Sequence, residues 1–112
     1  MEPDTEKSYL VAVPSNDGIT IYPKMLGMAR FFYIYKIVNN REIVFLEKRS
    51  NPYETTMQHL KTMDVYTVIN DCKVILSTYI GKKGIERLKQ KGVEMVFMKG
   101  DIAGALNSLL DN

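Results

Sequence analysis

The side chains able to carry chemistry are few, and their scarcity decides a good deal. The chain has one cysteine, Cys72, one histidine, His59, and no tryptophan. A single Cys and a single His cannot supply the ligands of a tetrahedral zinc site or of a four-cysteine iron–sulfur cluster. One cysteine also allows no intramolecular disulfide. A nucleophilic pair would have to be Cys72 with His59. Cys72 directly follows Asp71, and an adjacent carboxylate raises a thiol's pKa, the wrong direction for a nucleophile. His59 lies among Gln58, Leu60 and Lys61 in a helical stretch, where a surface histidine is the default and a metal ligand the minority case. No Gly-x-Ser-x-Gly, His-Glu-x-x-His or phosphate-loop pattern occurs.

Two other groups of residues remain. Met25 and Met28 flank Gly27. Thioethers bind soft metals, although most methionines simply fill gaps in a core. Gly81 lies between an apolar run and a helical one, with Lys82 and Lys83 after it and Lys24 and Arg30 in an earlier loop. A glycine lets backbone N–H groups approach a ligand, and a helix start attracts anions. These loops read equally well as an anion pocket and as a turn glycine among solvated lysines.

The elements that must position these residues follow from patterning. Tyr9 to Val13 is a short apolar run closed by Pro14, read as a strand buried on both faces. Ser15-Asn16-Asp17-Gly18 is a turn cluster, and an irregular loop runs on to Arg30. Phe31–Val38 and 42–49 are strands of a hairpin joined at Asn39-Asn40, since Asn tolerates positive φ. Alternation in the second of them places Ile43, Phe45 and Glu47 on one side. A helix capped by Thr55 or Thr56 runs to about Asn70, with Met57, Leu60, Val65, Val68 and Ile69 at helical spacing. Val74–Leu76 and Val93–Met98 are strands, separated by a helix from Gly81 to Lys91 that Gly92 ends. Asp101 caps a last helix whose stripe is Ile102, Ala105, Leu106, Leu109 and Leu110.

The order β-β-β-α-β-α-β-α predicts an α/β, ribonuclease H-like three-layer fold: a mixed five-stranded sheet with helices on both faces. In open sheets ligands favour the crevice beyond the carboxyl ends of the strands. The loops at 15–30 and 77–84 leave such ends. A two-metal nuclease would need carboxylates on the central strands, and neither Tyr9–Val13 nor Val74–Leu76 carries one.

Composition bounds the rest. At 112 residues there is room for one domain, expected over 8–112 after an arm at 1–7. Hydrophobic residues at 46% and charged residues at 25% exclude a disordered tail. A net charge of +2 is too mild to indicate nucleic acid. No apolar run is long enough to span a bilayer, and the acidic, polar start does not resemble a secretory signal, so a cytoplasmic protein without membrane contact is expected.

The ordered set of segments resembles one family. It comprises Leu10-Val11-Ala12-Val13-Pro14-Ser15, Gly27-x-Ala-x-Phe-Phe-x-Ile-Tyr at 27–35, Asn51-Pro52, Asp71-Cys72-Lys73-Val74-Ile75, Ile80-Gly81, Gly92-Val93 and Gly100-Asp101 followed by Ala105-Leu106 and Leu109-Leu110. Together they look like the dinitrogenase iron–molybdenum cofactor biosynthesis family, the NifX-type domain also found at the C-terminus of NifB-type proteins. The resemblance implies a ribonuclease H-like fold without nuclease activity. It implies a carrier that binds an iron–sulfur or iron–molybdenum-type cluster, or another small anion, and exchanges it with cluster-assembly proteins.

The site residues implied are Ser15, Gly27, Met28, Arg30, Gly81 and Lys82 around the cofactor, with Met25 and His59 as metal ligands. Two departures stand out. Where family members often carry His-Phe-Gly, this chain has Met25-Leu26-Gly27, and where they carry a Gly-Gly-Ile-Gly loop it has Thr78-Tyr79-Ile80-Gly81. Both alterations also suit another class of protein, an interaction or regulatory module that kept the fold and lost the cluster.

Overall fold

Apolar residues on consecutive positions of a strand must be covered on both sides, and Val11, Ala12 and Val13 are wholly buried. The computed structural model, which describes residues 7–55 and 61–110, places them at the centre of a sheet. The elements are β1 (Ser8–Ser15), β2 (Phe31–Val38), β3 (Glu42–Ser50), α1 (Lys61–Ile69), β4 (Val74–Ser77), α2 (Lys82–Gln90), β5 (Glu94–Phe97) and α3 (Ile102–Asn107), with a 3₁₀ turn at Leu26–Met28. The five strands lie in the order β3-β2-β1-β4-β5. β1 pairs antiparallel with β2 and parallel with β4, and β4 pairs parallel with β5.

Pleat alternation sends the two sets of side chains into two cores. Ala12, Phe32, Ile34 and Ile75 pack with Val65, Ile69 and Leu88 under α1 and α2. Val11, Val13, Ile37, Val74 and Leu76 pack with Ile102, Ala105 and Leu106 under α3. The chain is therefore an α/β structure with a mixed five-stranded sheet and helices on both faces, as patterning predicts.

Local signals explain most boundaries. Asn39 and Asn40 take φ of 54° and 56°, and the Arg41 N–H donates to Val38 O at 3.0 Å to close the turn, the primed geometry that suits hairpins. Gly92, at φ 81°, follows α2, and Asp101 accepts from the Gly104 N–H at 2.7 Å to cap α3.

Three expectations need correction or restriction. β1 does not stop at Pro14. It continues to Ser15, because the ladder with β4 involves only Val11 and Ala12, so the missing N–H of Pro14 interrupts nothing there. Second, Glu47 does not share a face with Ile43 and Phe45. The β2–β3 register shifts between Ile34, opposite Glu47, and Tyr35, opposite Phe45, so Leu46 is an extra residue and alternation inverts across this bulge. Third, the start of the helix near Thr56, and its residues Met57 and Leu60, lie outside the described residues, as does the expected arm except Lys7.

The inverted phase has an electrostatic consequence. It turns Glu47 and Arg49 toward α1, where Arg49 donates to both oxygens of Asp71 at 2.8 Å, to Val68 O at 2.8 Å and to Glu47 Oε2 at 2.9 Å. The Arg49 guanidinium holds the Asp71 carboxyl below the usual carboxylate range. A group whose folded pKa is depressed contributes stability above its unfolded pKa and loses it as pH falls through the folded value. Unfolding midpoints are therefore expected to fall with acidification below about pH 4. Arg49→Ala should flatten that slope, measured by denaturant titration across the acid range.

Candidate functional site

The carboxyl ends of β1 and β4 open toward two loops, and the backbone joins them. Met25 and Tyr79 form a parallel bridge, and the Leu26 N–H donates to Tyr79 O at 3.0 Å. Residues 25–30 and 79–83 thus form one surface. Within the first loop the burial alternates with purpose: Leu26 and Gly27 point inward, while Met25 and Met28 remain 41% and 42% exposed. The Met28 N–H donates to Met25 O at 3.0 Å, which closes the turn that holds both methionines outward.

Asn51 holds this loop in place. It is 4% exposed. Its Nδ2 donates to Gly27 O at 3.0 Å and Ala29 O at 2.8 Å, and its Oδ1 accepts from the Tyr53 N–H at 2.9 Å. The Asn51 N–H itself donates to Arg30 O at 2.9 Å. In the sequence Asn51 stands out only as part of a family segment. Its amide satisfies carbonyls more than 20 positions away, which no local pattern reveals. Asn16 does the same from the other side, accepting from the Arg30 N–H at 2.8 Å.

The second loop ends in α2. Gly81 is its N-cap, with no side-chain cap. The first N–H groups of a helix have no partner within the helix, and here they come with the exposed Lys82 and Lys83. A Cβ added at Gly81 would meet only the Met25 methyl, at 3.4 Å. Backbone N–H groups, two lysines and a thioether therefore lie side by side.

The expected site residues distribute unevenly. Met25, Met28, Arg30, Gly81 and Lys82 belong to this joined surface, and Gly27 is buried beneath it. Arg30 is 3.9 Å from Glu54 in an ion pair whose side chains are 63% and 37% exposed, too open to fix it firmly. Ser15 is near in sequence but is committed elsewhere. It is fully buried, and its hydroxyl lies 2.6 Å from Thr20 O while accepting from the Gly18 N–H at 2.9 Å, an arrangement that closes the 15–20 turn. His59 lies outside the described residues. Tyr79, which sequence reasoning placed where the family pattern has a glycine, is 54% exposed over this surface.

Cys72 is remote from this edge, preceding β4 where Gly81 follows it. Burial first, and the Asp71 carboxylate second, push its thiol up to about 12. In the native protein at pH 8 it should resist a thiol reagent such as a chromogenic disulfide and react only when denatured. A single fast-reacting thiol in the native state would contradict this. Among the described residues no three His, Cys, Asp or Glu side chains are grouped so as to hold a metal ion. None of the described helices is long and apolar enough to cross a membrane.

Comparison with known proteins places the chain. A family model described as dinitrogenase iron-molybdenum cofactor matches residues 7–112. No curated protein matches the chain by sequence. Among solved structures, the apo form of the orange protein from Desulfovibrio gigas is similar at 20% identity and TM-score 0.62, over 78% of this chain and 72% of that one. A Thermotoga protein provisionally described as NifB aligns at 18% identity and TM-score 0.58, over 89% and 85%. A Methanocaldococcus jannaschii protein provisionally described as a dinitrogenase aligns at 14% identity and TM-score 0.62, over 94% of both chains. At these identities the structural likeness speaks for the fold.

Proposed function

The chain belongs to the dinitrogenase iron-molybdenum cofactor family, and from that membership we propose that it is a non-catalytic binding protein for an anionic metallocluster of the iron–sulfur or iron–molybdenum type. In this reading the cluster is cargo, received from and passed to cluster-assembly proteins. The observation that carries the reading is the α2 N-terminus, uncapped by any side chain, flanked by Lys82 and Lys83 and adjoining Met25. Unpaired helix N–H groups and cationic side chains favour negative charge. A polarizable thioether suits the soft metal of such a cargo.

Each residue then has a role that its position permits. Met25 touches the cargo as a neutral ligand. The α2 amides and Lys82 contact its anionic sulfur or oxygen atoms. Gly81 leaves the approach free of a side chain, although a Cβ there would make only an ordinary contact, at 3.4 Å, with the Met25 methyl. Gly27, fixed through its carbonyl by Asn51, sets the turn that presents Met25 and Met28. Lys82→Glu with Lys83→Glu should lower cluster loading during anaerobic reconstitution by about tenfold or more, and added salt should weaken loading of the wild type. Unchanged loading in that variant would overturn the electrostatic part of the proposal.

A second reading rests on the exposure of Met25, Met28 and Tyr79. Three large apolar side chains clustered on one edge suit a partner surface, which the interaction-module alternative requires. A colourless protein that co-purifies stoichiometrically with a partner would favour it.

A further inference from the structure

We propose that a cleft at the amino ends of the parallel strands, at the far end of the sheet from the cargo surface, binds a small organic carboxylate with an apolar body. The site shares no residue with residues 25–30 and 79–83, and it does not require a cluster to bind.

Topology opens the cleft. β1, β4 and β5 run parallel, so their first residues meet at one end of the sheet. α3 packs on this face but has only six residues and ends at Asn107. Where the strands begin, a cleft of about 650 Å³ remains, within the range of roughly 300–1,000 Å³ usual for small-ligand sites. Tyr9, Val74, Val96 and Leu109 line it, and all four belong to the core on the α3 side. The backbone holds its base in place. The Lys73 N–H donates to Leu10 O at 3.0 Å, the Glu94 N–H to Lys73 O at 2.9 Å and the Asn39 N–H to Lys7 O at 2.6 Å.

Charge selects the ligand. Lys7, Lys73 and Glu94 line the same cleft and are exposed at its rim. Among the described residues none of the three takes part in an ion pair. Two ammonium groups against one carboxylate leave the rim a single net positive charge. A monoanion balances it, whereas a dianion exceeds it. The lining holds no arginine, the side chain whose planar fork grips a phosphate through two parallel hydrogen bonds. A carboxylate therefore suits this rim better than a phosphate. The Lys73 Nζ lies 5.8 Å from the centre of the Tyr9 ring, so a cation stands directly beside an apolar wall. One ligand can thus place its carboxylate at Lys73 and its apolar body against Tyr9, Val96 and Leu109, where covering apolar surface is favourable.

The test titrates phenylacetate into ¹⁵N-labelled full-length protein. The amides of Tyr9, Val74 and Val96 should shift together and saturate, while those of residues 25–30 stay in place. Phenylacetamide, the neutral counterpart, should bind about tenfold more weakly, and inorganic phosphate should leave the same amides in place. Lys73→Glu should weaken phenylacetate binding by about tenfold or more, and Glu94→Gln should strengthen it. Lys99→Glu makes the same charge change beyond the opposite end of β5 and should bind as the wild type does. Absence of the shifts at millimolar phenylacetate, equal affinity for phenylacetamide or phosphate, or unchanged binding in Lys73→Glu would overturn the proposal. Failure of cluster reconstitution would leave this titration intact, so the two readings fail separately.

Discussion

Asn51→Ala is expected to cost the protein about 3 kcal/mol, because a buried group left without its partner carries the full desolvation penalty. The substitution removes the amide that donates to Gly27 O and Ala29 O and the carbonyl that accepts from the Tyr53 N–H. All three lose a partner in a place where Asn51 itself is 4% exposed. For a domain of this size the loss corresponds to a fall in melting temperature of about 12 °C or more. The effect is also local. The 25–30 loop would lose its Asn51 side-chain brace, while the bridge from Tyr79, the Asn16 contact to the Arg30 N–H and the Asn51 backbone bond to Arg30 O remain. Faster amide exchange at Leu26 to Arg30 than in the rest of the β-sheet would distinguish a loosened turn from a uniformly weakened fold. A melting temperature within two or three degrees of wild type, roughly the size of a neutral surface change, would mean that the Asn51 hydrogen bonds do not hold this edge together.

The second large effect concerns the contact between α1 and α2. A Cβ at Gly84 would lie 2.7 Å from Thr62 Oγ1 and 2.8 Å from Thr62 Cγ2, so the two helices approach at a position where only glycine fits. Two terms oppose each other. Replacing a glycine in the first turn of a helix by alanine is intrinsically favourable by up to roughly 1 kcal/mol. Overpacking a filled contact costs about 1–3 kcal/mol. Thr62 is β-branched and stiff at χ1 in a helix, so relief by rotation is limited and the steric term wins. Gly84→Ala should therefore destabilise by about 1–2 kcal/mol, and Gly84→Val by more. The cost should shrink when the nearest atoms are removed. In a Thr62→Ala background only the Cβ at 3.0 Å remains in the way, so Gly84→Ala should cost less than in the wild type, and the double-mutant cycle should give a coupling above about 1 kcal/mol. Additive effects would show that the close approach carries no energetic weight.

How much of this was legible in the residues depends on the range of the interaction. The hairpin was legible because Asn39 and Asn40 carry positive φ locally. α2 and α3 were legible because Gly92 and Asp101 mark an end and a start. The inward set of the central strands was legible because consecutive apolar residues admit only one solution, burial on both faces. What was not legible is long-range. The bulge at Leu46 inverts Glu47 and Arg49 toward Asp71, and alternation alone assigns Glu47 to the other face. The Met25–Tyr79 bridge and the reach of Asn51 across more than 20 residues leave no periodic trace. Ser15 illustrates the same limit at the site. A serine at the end of a central strand suggests a ligand contact, yet the folded turn directs its hydroxyl to Thr20 O. The site residues that sequence and fold agree in placing together are those on the two loops, Met25 to Arg30 and Gly81 to Lys82.

The most direct measurement of the central claim is the metal and acid-labile sulfide content of protein purified and reconstituted without oxygen, with its absorption spectrum, for wild type and Met25→Ala. Binding of an anionic cluster at the edge formed by residues 25–30 and 79–83 predicts stoichiometric metal with sulfide in the wild type and a clear loss in the variant, whose fold Leu26, Gly27 and Asn51 still hold. A wild type that remains colourless and free of metal under the same treatment would contradict the claim.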